Sequence, residues 1–348
     1  MRAILHHSLG GEVTIGEIEA PVPGAHDVIV RPKAVQIGTD STRTMVVGSP
    51  RVKPEDWVFP HVSGRRAAGI VEAVGSEVTR FEVGDRVIIK SPITCNACEW
   101  CQRGISNMCP NNKLYGNDVG SRGALAELTS APEWSMVRLH DDISFVEATL
   151  LPDVALMVHM YERAQVIPGF TTVIYGTGRV GLCAVLAAKA FGASRIVAVD
   201  TRQTSLDLAR KLGATDTILA GAGDTVASLY EILPDGAEVV VELAGHASVI
   251  AQAFSSAARR GRIMVLSGLM GLDLSMPDWF GSVIEREVDI RGIYGLVNDD
   301  YLHAMRMVSA GLIDLQAQTI VEYEFDDFAS AFAASGSPTD IDLHVVVS

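Results

Sequence analysis

The sequence predicts an α/β protein with a small β-rich domain and a second domain built on a doubly wound parallel sheet. Short β-branched runs separated by Gly, Pro and Asp fill the first third of the chain. From about Thr171 the pattern changes to apolar strands alternating with helical segments, and after about Leu296 it becomes mixed again. A chain of 348 residues is long enough for two hydrophobic cores.

The β-rich domain is predicted from three runs. They are Val28–Val30 with the segment through Ile37, then Gly69–Val74, then Arg86–Ile89. Such short runs, bounded by turn-forming residues, are typical of a small and irregular β domain. The residues after Leu296 could complete this domain.

The second domain is predicted from six apolar strands with helical segments between them. Parallel neighbours need crossover connections, and continuous apolar strands need cover on both faces, so this alternation indicates a doubly wound parallel sheet. The predicted strands are Thr172–Tyr175, Arg195–Val199, Thr217–Leu219, Glu238–Val241, Arg262–Leu266 and Asp289–Ile293.

Composition limits the partners that the protein can have. With 48% hydrophobic and 20% charged residues the chain is an ordinary globular sequence. Its formal net charge of −14 would repel nucleic acid and anionic membranes, so neither is expected as a partner. The N-terminus lacks a charged segment before a long apolar run, and no stretch approaches the roughly 20 apolar residues of a membrane span. We therefore expect a cytoplasmic protein that binds a small-molecule substrate.

Four cysteines form a compact motif in the first domain. Cys95, Cys98, Cys101 and Cys109 stand in the order Cys-x2-Cys-x2-Cys-x7-Cys, which can close four thiolates around one tetrahedral ion. Two disulfides or a redox pair are the alternatives, but a reducing compartment favours a metal. The motif predicts one structural zinc in a lobe of about residues 91–112. Four thiolates leave no open position, so this zinc would do no chemistry.

A glycine-rich motif follows the first strand of the parallel sheet and precedes a helix predicted at Leu182–Phe191. In this context its backbone N–H groups and the helix dipole can face a pyrophosphate. The alternative is a turn whose glycines serve only close helix–strand packing. The residues that fit G-x-G-x-x-G are Gly176, Thr177, Gly178, Arg179, Val180 and Gly181.

The choice of dinucleotide depends on two residues at the end of the next predicted strand, Asp200 and Arg202. Asp200, nineteen residues after Gly181, can accept hydrogen bonds from the adenosine ribose hydroxyls. Its negative charge would repel the 2′-phosphate of NADP, so the sequence favours NAD. Arg202 tempers this preference because its guanidinium could pair with a phosphate.

Taken together, these motifs make the chain resemble, nearly end to end, the medium-chain zinc-containing alcohol dehydrogenase family, which includes polyol, threonine and formaldehyde dehydrogenases. Besides the cysteine lobe and the glycine motif, the resemblance rests on Gly69-x-Val71-x-x-Val74-Gly75, Val83-Gly84-Asp85-Arg86-Val87 and Pro168-Gly169. It implies a GroES-like catalytic domain from residues 1–154 and 296–348, and a Rossmann NAD-binding domain from residues 155–295. Nicotinamide would meet substrate in a cleft, and a homodimer or homotetramer is expected.

The chain departs from the family at the catalytic zinc. The family's first ligand opens a Cys-Gly-Thr/Ser-Asp segment, which reads Ile37-Gly38-Thr39-Asp40 here, and its Gly-His-Glu segment reads Gly64-Arg65-Arg66. Neither an alkyl side chain nor a guanidinium can ligate zinc. Asp153 alone matches a ligand of those members that use a carboxylate. The resemblance therefore implies a family member without catalytic zinc, since such sites need three protein ligands.

The loss of a cation would leave Asp40 and Asp153 as buried carboxylates, which are costly without compensation. We expect the Arg65 guanidinium near the vacated position, hydrogen-bonded to Asp153 or Asp40. This pair could be only structural. Alternatively, Arg65 polarises a substrate oxygen while Thr39 keeps the family's role as first member of a hydroxyl proton relay. Thr39, Asp40, Arg65 and Asp153 are thus the candidate catalytic residues.

The predicted function is an NAD-dependent oxidoreductase that transfers hydride between nicotinamide and a polar alcohol or carbonyl substrate, such as a polyol, sugar or cyclitol, without catalytic zinc. Zinc normally lowers the pKa of the alcohol, so its loss requires another source of activation. A zinc-independent alkene or imine reductase is one alternative, because such substrates are already activated. A non-catalytic NAD-binding protein is the other.

Overall fold

The computed structural model describes residues 1–38, 45, 48, 52–118, 122–266, 278–335 and 342–347. The chain divides into two compact units. The first unit comprises Met1–Pro152, Gly295–Ser309 and Thr319–Ser348, and the second comprises Asp153–Tyr294 and Ala310–Gln318.

The strands are numbered in chain order. They are β1 (Arg2–His6), β2 (Val13–Glu17), β3 (Asp27–Ile37), β4 (Ala67–Val74), β5 (Arg86–Ile89), β6 (Thr129–Pro132), β7 (Met136–Arg138), β8 (Thr171–Tyr175), β9 (Arg195–Asp200), β10 (Asp216–Leu219), β11 (Ala237–Glu242), β12 (Ala257–Val265), β13 (Asp289–Gly292), β14 (Ile320–Glu324) and β15 (Leu343–Val347).

The α-helices of the described residues are numbered in the same way. They are α1 (Glu99–Gln102), α2 (Phe145–Ala148), α3 (Leu151–Ala164), α4 (Arg179–Ala190), α5 (Gln203–Leu212), α6 (Thr225–Ile232), α7 (Ala247–Ser256), α8 (Asn298–Ser309) and α9 (Phe328–Ser335).

The first unit is built on a seven-stranded mixed sheet with the order β14-β15-β3-β4-β5-β7, and β6 pairs with β3. Register shifts between β3 and β4 bend this sheet, as expected for β-bulges. Its inward side chains, including Val28, Val35, Val71 and Val87, form one core. Strand β15 pairs antiparallel with β3, so strands from the first and last parts of the chain lie in one sheet.

The second unit contains a six-stranded sheet with the order β10-β9-β8-β11-β12-β13, in which every neighbouring pair is parallel. The predicted α/β fold class with a doubly wound sheet is confirmed, and all six predicted strands are present. The strand order reverses between β8 and β11, which is the switch point where ligands bind in such sheets. Helix α4 begins at Arg179, three residues before the predicted start, because Gly178 is its N-cap.

No helix among the described residues is both long enough and apolar enough to span a bilayer.

Candidate functional site

The glycine loop joins the end of β8 to the start of α4 at the switch point of the parallel sheet. Gly176 has φ +89°, a left-handed conformation that favours glycine. A Cβ on Gly181 would lie 2.0 Å from the carbonyl oxygen of Gly176, so a side chain there would displace the loop from the helix. These two glycines therefore set the tight turn and the close packing of the loop on α4.

Gly178, the N-cap of α4, faces open space instead. A Cβ on Gly178 would meet nothing nearer than Nη2 of Arg202, at 3.8 Å. The helix it caps carries no acidic residue in its first turn, so the positive end of the helix dipole is not neutralised there by its own side chains. The residues present thus leave room and positive potential for a pyrophosphate, and they fit a dinucleotide.

Asp200 ends β9 beside this loop and is 8% exposed. Its carboxylate accepts hydrogen bonds from the backbone N–H of Thr177 at 2.8 Å and from the Thr177 hydroxyl at 3.2 Å. Burial alone would raise the pKa of Asp200, but hydrogen bonds from the side chain and backbone of Arg202 outweigh it and lower that pKa. The carboxylate is therefore held ionised as an acceptor beside the loop.

Arg202 precedes α5 and binds Asp200 through three nitrogens. Its backbone N lies 2.9 Å, its Nε 3.1 Å and its Nη2 3.4 Å from the Asp200 carboxylate. Because Nη2 also borders the open face of Gly178, the guanidinium and the carboxylate adjoin the same space. Asp200 and Arg202, which were expected to act in opposite directions on the choice between NAD and NADP, thus form one ion pair.

Asp153 lies in the first turn of α3 and is fully buried. Its Oδ2 accepts a hydrogen bond of 3.0 Å from Nε of Arg179, the first residue of α4, whose side chain is 13% exposed. The sequence did not reveal this partner. One signal was available, since a cation in the first turn of a helix opposes the dipole and indicates an anion nearby.

The other candidate catalytic residues belong to the first unit. Thr39 and Asp40 lie outside the described residues. The expected pairing of Arg65 with Asp153 or Asp40 stays a prediction, and the described partner of Asp153 is Arg179. Arg65 is half-buried and stands two residues before β4. Ile37 at the end of β3 is 2% exposed and belongs to the hydrophobic core. An apolar core side chain at the family's first ligand position does not fit a metal.

The four-cysteine motif forms a compact cluster. The sulfurs of Cys95, Cys98, Cys101 and Cys109 all lie within 4.8 Å of one another. Tetrahedral zinc with Zn–S bonds of about 2.3 Å holds its sulfurs about 3.8 Å apart, so only small shifts would be needed. Among the described residues no other group of three or more Cys, His, Asp and Glu could hold a metal. The cysteines there form no disulfide in this structure.

Local structure brings the four sulfurs together. Backbone N–H groups of Cys98 and Cys95 point at the sulfurs of Cys95 and Cys109, each at 3.4 Å. Ile93 and Lys113 exchange two backbone hydrogen bonds that close the base of the lobe. N–H groups aimed at sulfur stabilise thiolates, which is the form that binds metal. The donor set is the one that structural zinc takes in proteins.

Comparison with known proteins identifies the family. The sequence model of the alcohol dehydrogenase GroES-like domain matches residues 24–141, and that of the zinc-binding dehydrogenases matches residues 180–310. The L-idonate 5-dehydrogenase of Vitis vinifera is 34% identical over 325 residues, which cover 90% of this chain and 86% of that protein. The chain belongs to the medium-chain zinc-containing alcohol dehydrogenase family. It is therefore an enzyme of the dehydrogenase/reductase class, as predicted, rather than a non-catalytic binding protein.

Two further comparisons agree with this family. The sorbitol dehydrogenase of Bacillus subtilis is 29% identical over 332 residues, covering 94% of this chain and 91% of that protein. A crystal structure of an Escherichia coli oxidoreductase/dehydrogenase of unknown specificity superimposes with a TM-score of 0.91 at 30% identity. The match covers 100% of this chain and 99% of that one. The predicted combination of a GroES-like domain and a Rossmann domain is thereby confirmed.

Proposed function

We propose that this enzyme transfers hydride between NAD and a hydroxyl-bearing or carbonyl carbon of a polar small molecule, without a catalytic zinc. The observation that carries the proposal is the ionised Asp200 carboxylate beside the open face of Gly178. A carboxylate there accepts hydrogen bonds from ribose hydroxyls and repels a 2′-phosphate, which favours NAD over NADP. Bound NAD supplies the hydride acceptor.

The absence of a catalytic zinc is proposed from the three family ligand positions. Ile37 is a core alkyl side chain, and Arg65 carries a guanidinium with no lone pair to offer. Asp153 is already neutralised by Arg179. One carboxylate would not hold a catalytic zinc, which generally needs three protein ligands. One structural zinc per chain is proposed at the cysteine cluster.

A polar substrate is proposed from the relatives and from the charge at position 65. The sorbitol and L-idonate dehydrogenases carry names of a polyol and a sugar acid. In our proposal Arg65 donates hydrogen bonds to the substrate oxygen that loses or gains the proton, and Thr39 passes that proton on. A guanidinium stabilises negative charge on oxygen as it develops, which is part of what the zinc does in other members.

The side chains of Ile37 and Arg65, which cannot ligate zinc, also favour a second candidate, an alkene or imine reductase. Without a metal to stabilise an alkoxide, a substrate that is already activated would react more readily. An enone or an iminium accepts hydride at carbon without any need for a Lewis acid on an alcohol oxygen. The candidate retains the same cofactor site and differs only in the substrate.

The proposal is tested by assaying the purified full-length protein against matched substrate panels. Polyols, sugars and cyclitols are offered with NAD or NADP, and ketoses, enones and imines with NADH or NADPH, while the absorbance of the reduced nicotinamide is followed. We expect turnover of a polyol, sugar or cyclitol with NAD, and about one zinc per chain by elemental analysis. Arg65→Ala should lower kcat by roughly 100-fold while NADH binding is unchanged.

Three results would contradict the proposal. Near two zinc ions per chain would show that a catalytic zinc is present. Equal use of NADP would remove the role given to Asp200. Turnover confined to enones or imines would replace the polyol substrate by the second candidate.

A further inference from the structure

The buried ion pair between Asp153 and Arg179 joins a candidate catalytic residue to the glycine loop. Asp153 occupies a position where other members place a metal ligand, and Arg179 belongs to the glycine loop. Both side chains are sequestered, at 1% and 13% exposure, and Nε lies 3.0 Å from Oδ2. A carboxylate that buried is stable only with a compensating cation. In this chain the described compensation comes from the loop.

The location of Arg179 is unusual for a cation. It is the first residue of a twelve-residue helix, at the end where the helix dipole is positive. Before any cofactor binds, the Asp153 carboxylate offsets the cost of placing a cation at this end of the helix. A pyrophosphate bound at the open face of the adjacent Gly178 would offset it further, because it would bring negative charge to the same helix end.

We propose that Arg179 is a cofactor-positioning residue that takes over the charge of the missing catalytic metal. Its guanidinium neutralises Asp153, and Asp153 in turn fixes the guanidinium at the glycine loop, where it contacts the pyrophosphate. The proposal rests on the proposed function, in which NAD binds and the catalytic zinc is absent. It makes Asp153 a contributor to cofactor affinity through its ion pair with Arg179.

A second ion pair at the loop supports this arrangement. Arg202 is held by Asp200 in the same way, with Nε at 3.1 Å and the carboxylate 6% exposed. Arg202 borders the open face of Gly178, and Arg179 follows Gly178 in the chain. The loop therefore has two arginines, each oriented by a buried aspartate. A doubly charged pyrophosphate would gain a charge-assisted hydrogen bond from Arg179, whereas Arg202 with Asp200 would lie beside the ribose hydroxyls.

The competing interpretation is an ion pair that only connects α3 to α4. The two interpretations differ in what NADH binding should show. A structural pair would affect the unfolding temperature alone. A positioning pair would also affect the dissociation constant of NADH and its dependence on salt, since each phosphate contact adds a screened charge interaction.

The test uses the full-length protein with its zinc and measures NADH binding by nicotinamide fluorescence over a range of salt concentrations. The variants are Arg179→Gln, Arg179→Lys and Asp153→Asn. Arg195→Gln is the matched control, since it breaks the exposed Arg195–Asp216 pair of the same unit. We expect Arg179→Gln to weaken NADH binding about tenfold or more and to reduce its salt dependence. Asp153→Asn should weaken binding less, Arg179→Lys should restore part of it, and the control should bind as wild type.

Wild-type affinity and salt dependence in Arg179→Gln would overturn the inference. If that variant does not fold, the double variant Arg179→Gln with Asp153→Asn removes both charges and strands neither. Wild-type NADH affinity in the double variant would overturn the inference equally. Failure of the proposed function is distinguishable, because it appears in the wild-type protein as no NADH binding or as a second zinc.

Discussion

At the scale of single residues, the proposed preference for NAD rests on Asp200, whose negative charge is stabilised before any ligand arrives. Thr177 and Arg202 both donate hydrogen bonds to its carboxylate. A ribose hydroxyl would join these donors, whereas a 2′-phosphate would have to displace the carboxylate from Arg202. The guanidinium released in that exchange could bind the phosphate. Under the proposed function, the pair would therefore disfavour NADP only while Asp200 is present.

The first prediction follows from this pairing. Asp200→Ala should raise the dissociation constant of NADH by about 10- to 100-fold, the cost of losing hydrogen bonds to a charged acceptor. NADPH should bind the variant at least as tightly as NADH, because Arg202 is then available to the 2′-phosphate. Titration of both reduced cofactors by fluorescence measures the two constants.

Asp216→Ala is the control for that experiment, since Asp216 is also the partner of an arginine in this unit but lies 24% exposed at the start of β10. It should leave both constants unchanged. If wild type binds NADPH as tightly as NADH, then Arg202 outweighs Asp200 and the preference for NAD is wrong.

The sequence predicted those site residues that come together within one strand–turn–helix segment, and it missed a contact between two separate helices. Asp200 and the glycine motif are fixed by a strand, a turn and a helix that follow one another, so spacing was enough to bring them together. Asp153 and Arg179 are 26 residues apart and lie on two different helices. Their contact depends on how α3 lies relative to α4, which no periodicity in the sequence encodes.

At the scale of elements, the cysteine lobe shows most clearly what spacing in the sequence can predict. Its four ligands lie within fifteen residues, and short helical turns at α1 and at Ser106–Met108 bring them to one point. Spacing therefore predicted the cluster well. Without a cation, burial raises the pKa of Cys101 to about 12, whereas backbone N–H groups lower that of Cys95 to about 6. The Cys101 thiol does not readily ionise unless a metal neutralises its thiolate.

The second prediction concerns this lobe. Cys98→Ser should reduce the zinc content from about one per chain to nearly none and lower the unfolding temperature, because a structural zinc contributes folding energy directly. Elemental analysis and thermal unfolding measure the two effects. Cys183→Ala is the control for zinc content, since Cys183 is buried in α4, outside the lobe, and accepts a hydrogen bond from Gln318. Unchanged zinc content in Cys98→Ser would contradict the assignment of the ligands.

Secondary structure was predictable where apolar side chains recur in a regular pattern. Strands β8, β9 and β11 of the parallel sheet are almost entirely buried, so they read as continuous apolar runs. Strands β14 and β15 were not predicted individually, because they lie in the mixed region after Leu296. Strand β15 is placed in the first sheet by pairing with β3, more than 300 residues earlier in the chain, and β14 is placed there by pairing with β15.

At the scale of the whole molecule, the parallel sheet ends in an edge. Strand β13 pairs with β12 on one side, and no second neighbour is found among the described residues. Ile290 on this strand is 42% exposed. The segment that leads into it exposes Trp279, Phe280 and Ile284 at 48%, 66% and 55%. An unprotected edge with apolar side chains is a surface that natural proteins cover.

We propose that a second copy of the chain covers this edge, which would account for the expected homodimer or homotetramer. Two equivalent edges can pair about a twofold axis, so each copy would satisfy the N–H and C=O groups of the other. The net charge of −14 makes a second copy a poor partner over most of the surface. Contact is therefore favoured where the exposed side chains are apolar.

The last prediction tests this edge by changing its side chains while leaving the core intact. Ile290→Glu combined with Phe280→Glu should convert the assembly to a smaller species in analytical ultracentrifugation, because the two changes place like charges at the contact. Val22→Glu is the control, since Val22 is 88% exposed in the first unit and should leave the assembly unchanged. A wild-type protein that sediments as a monomer, or a variant that keeps the wild-type assembly, would contradict the edge as the interface. The dissociated variant should still bind NADH, because every residue assigned to the dinucleotide lies at the carboxyl ends of β8 and β9 and not at β13.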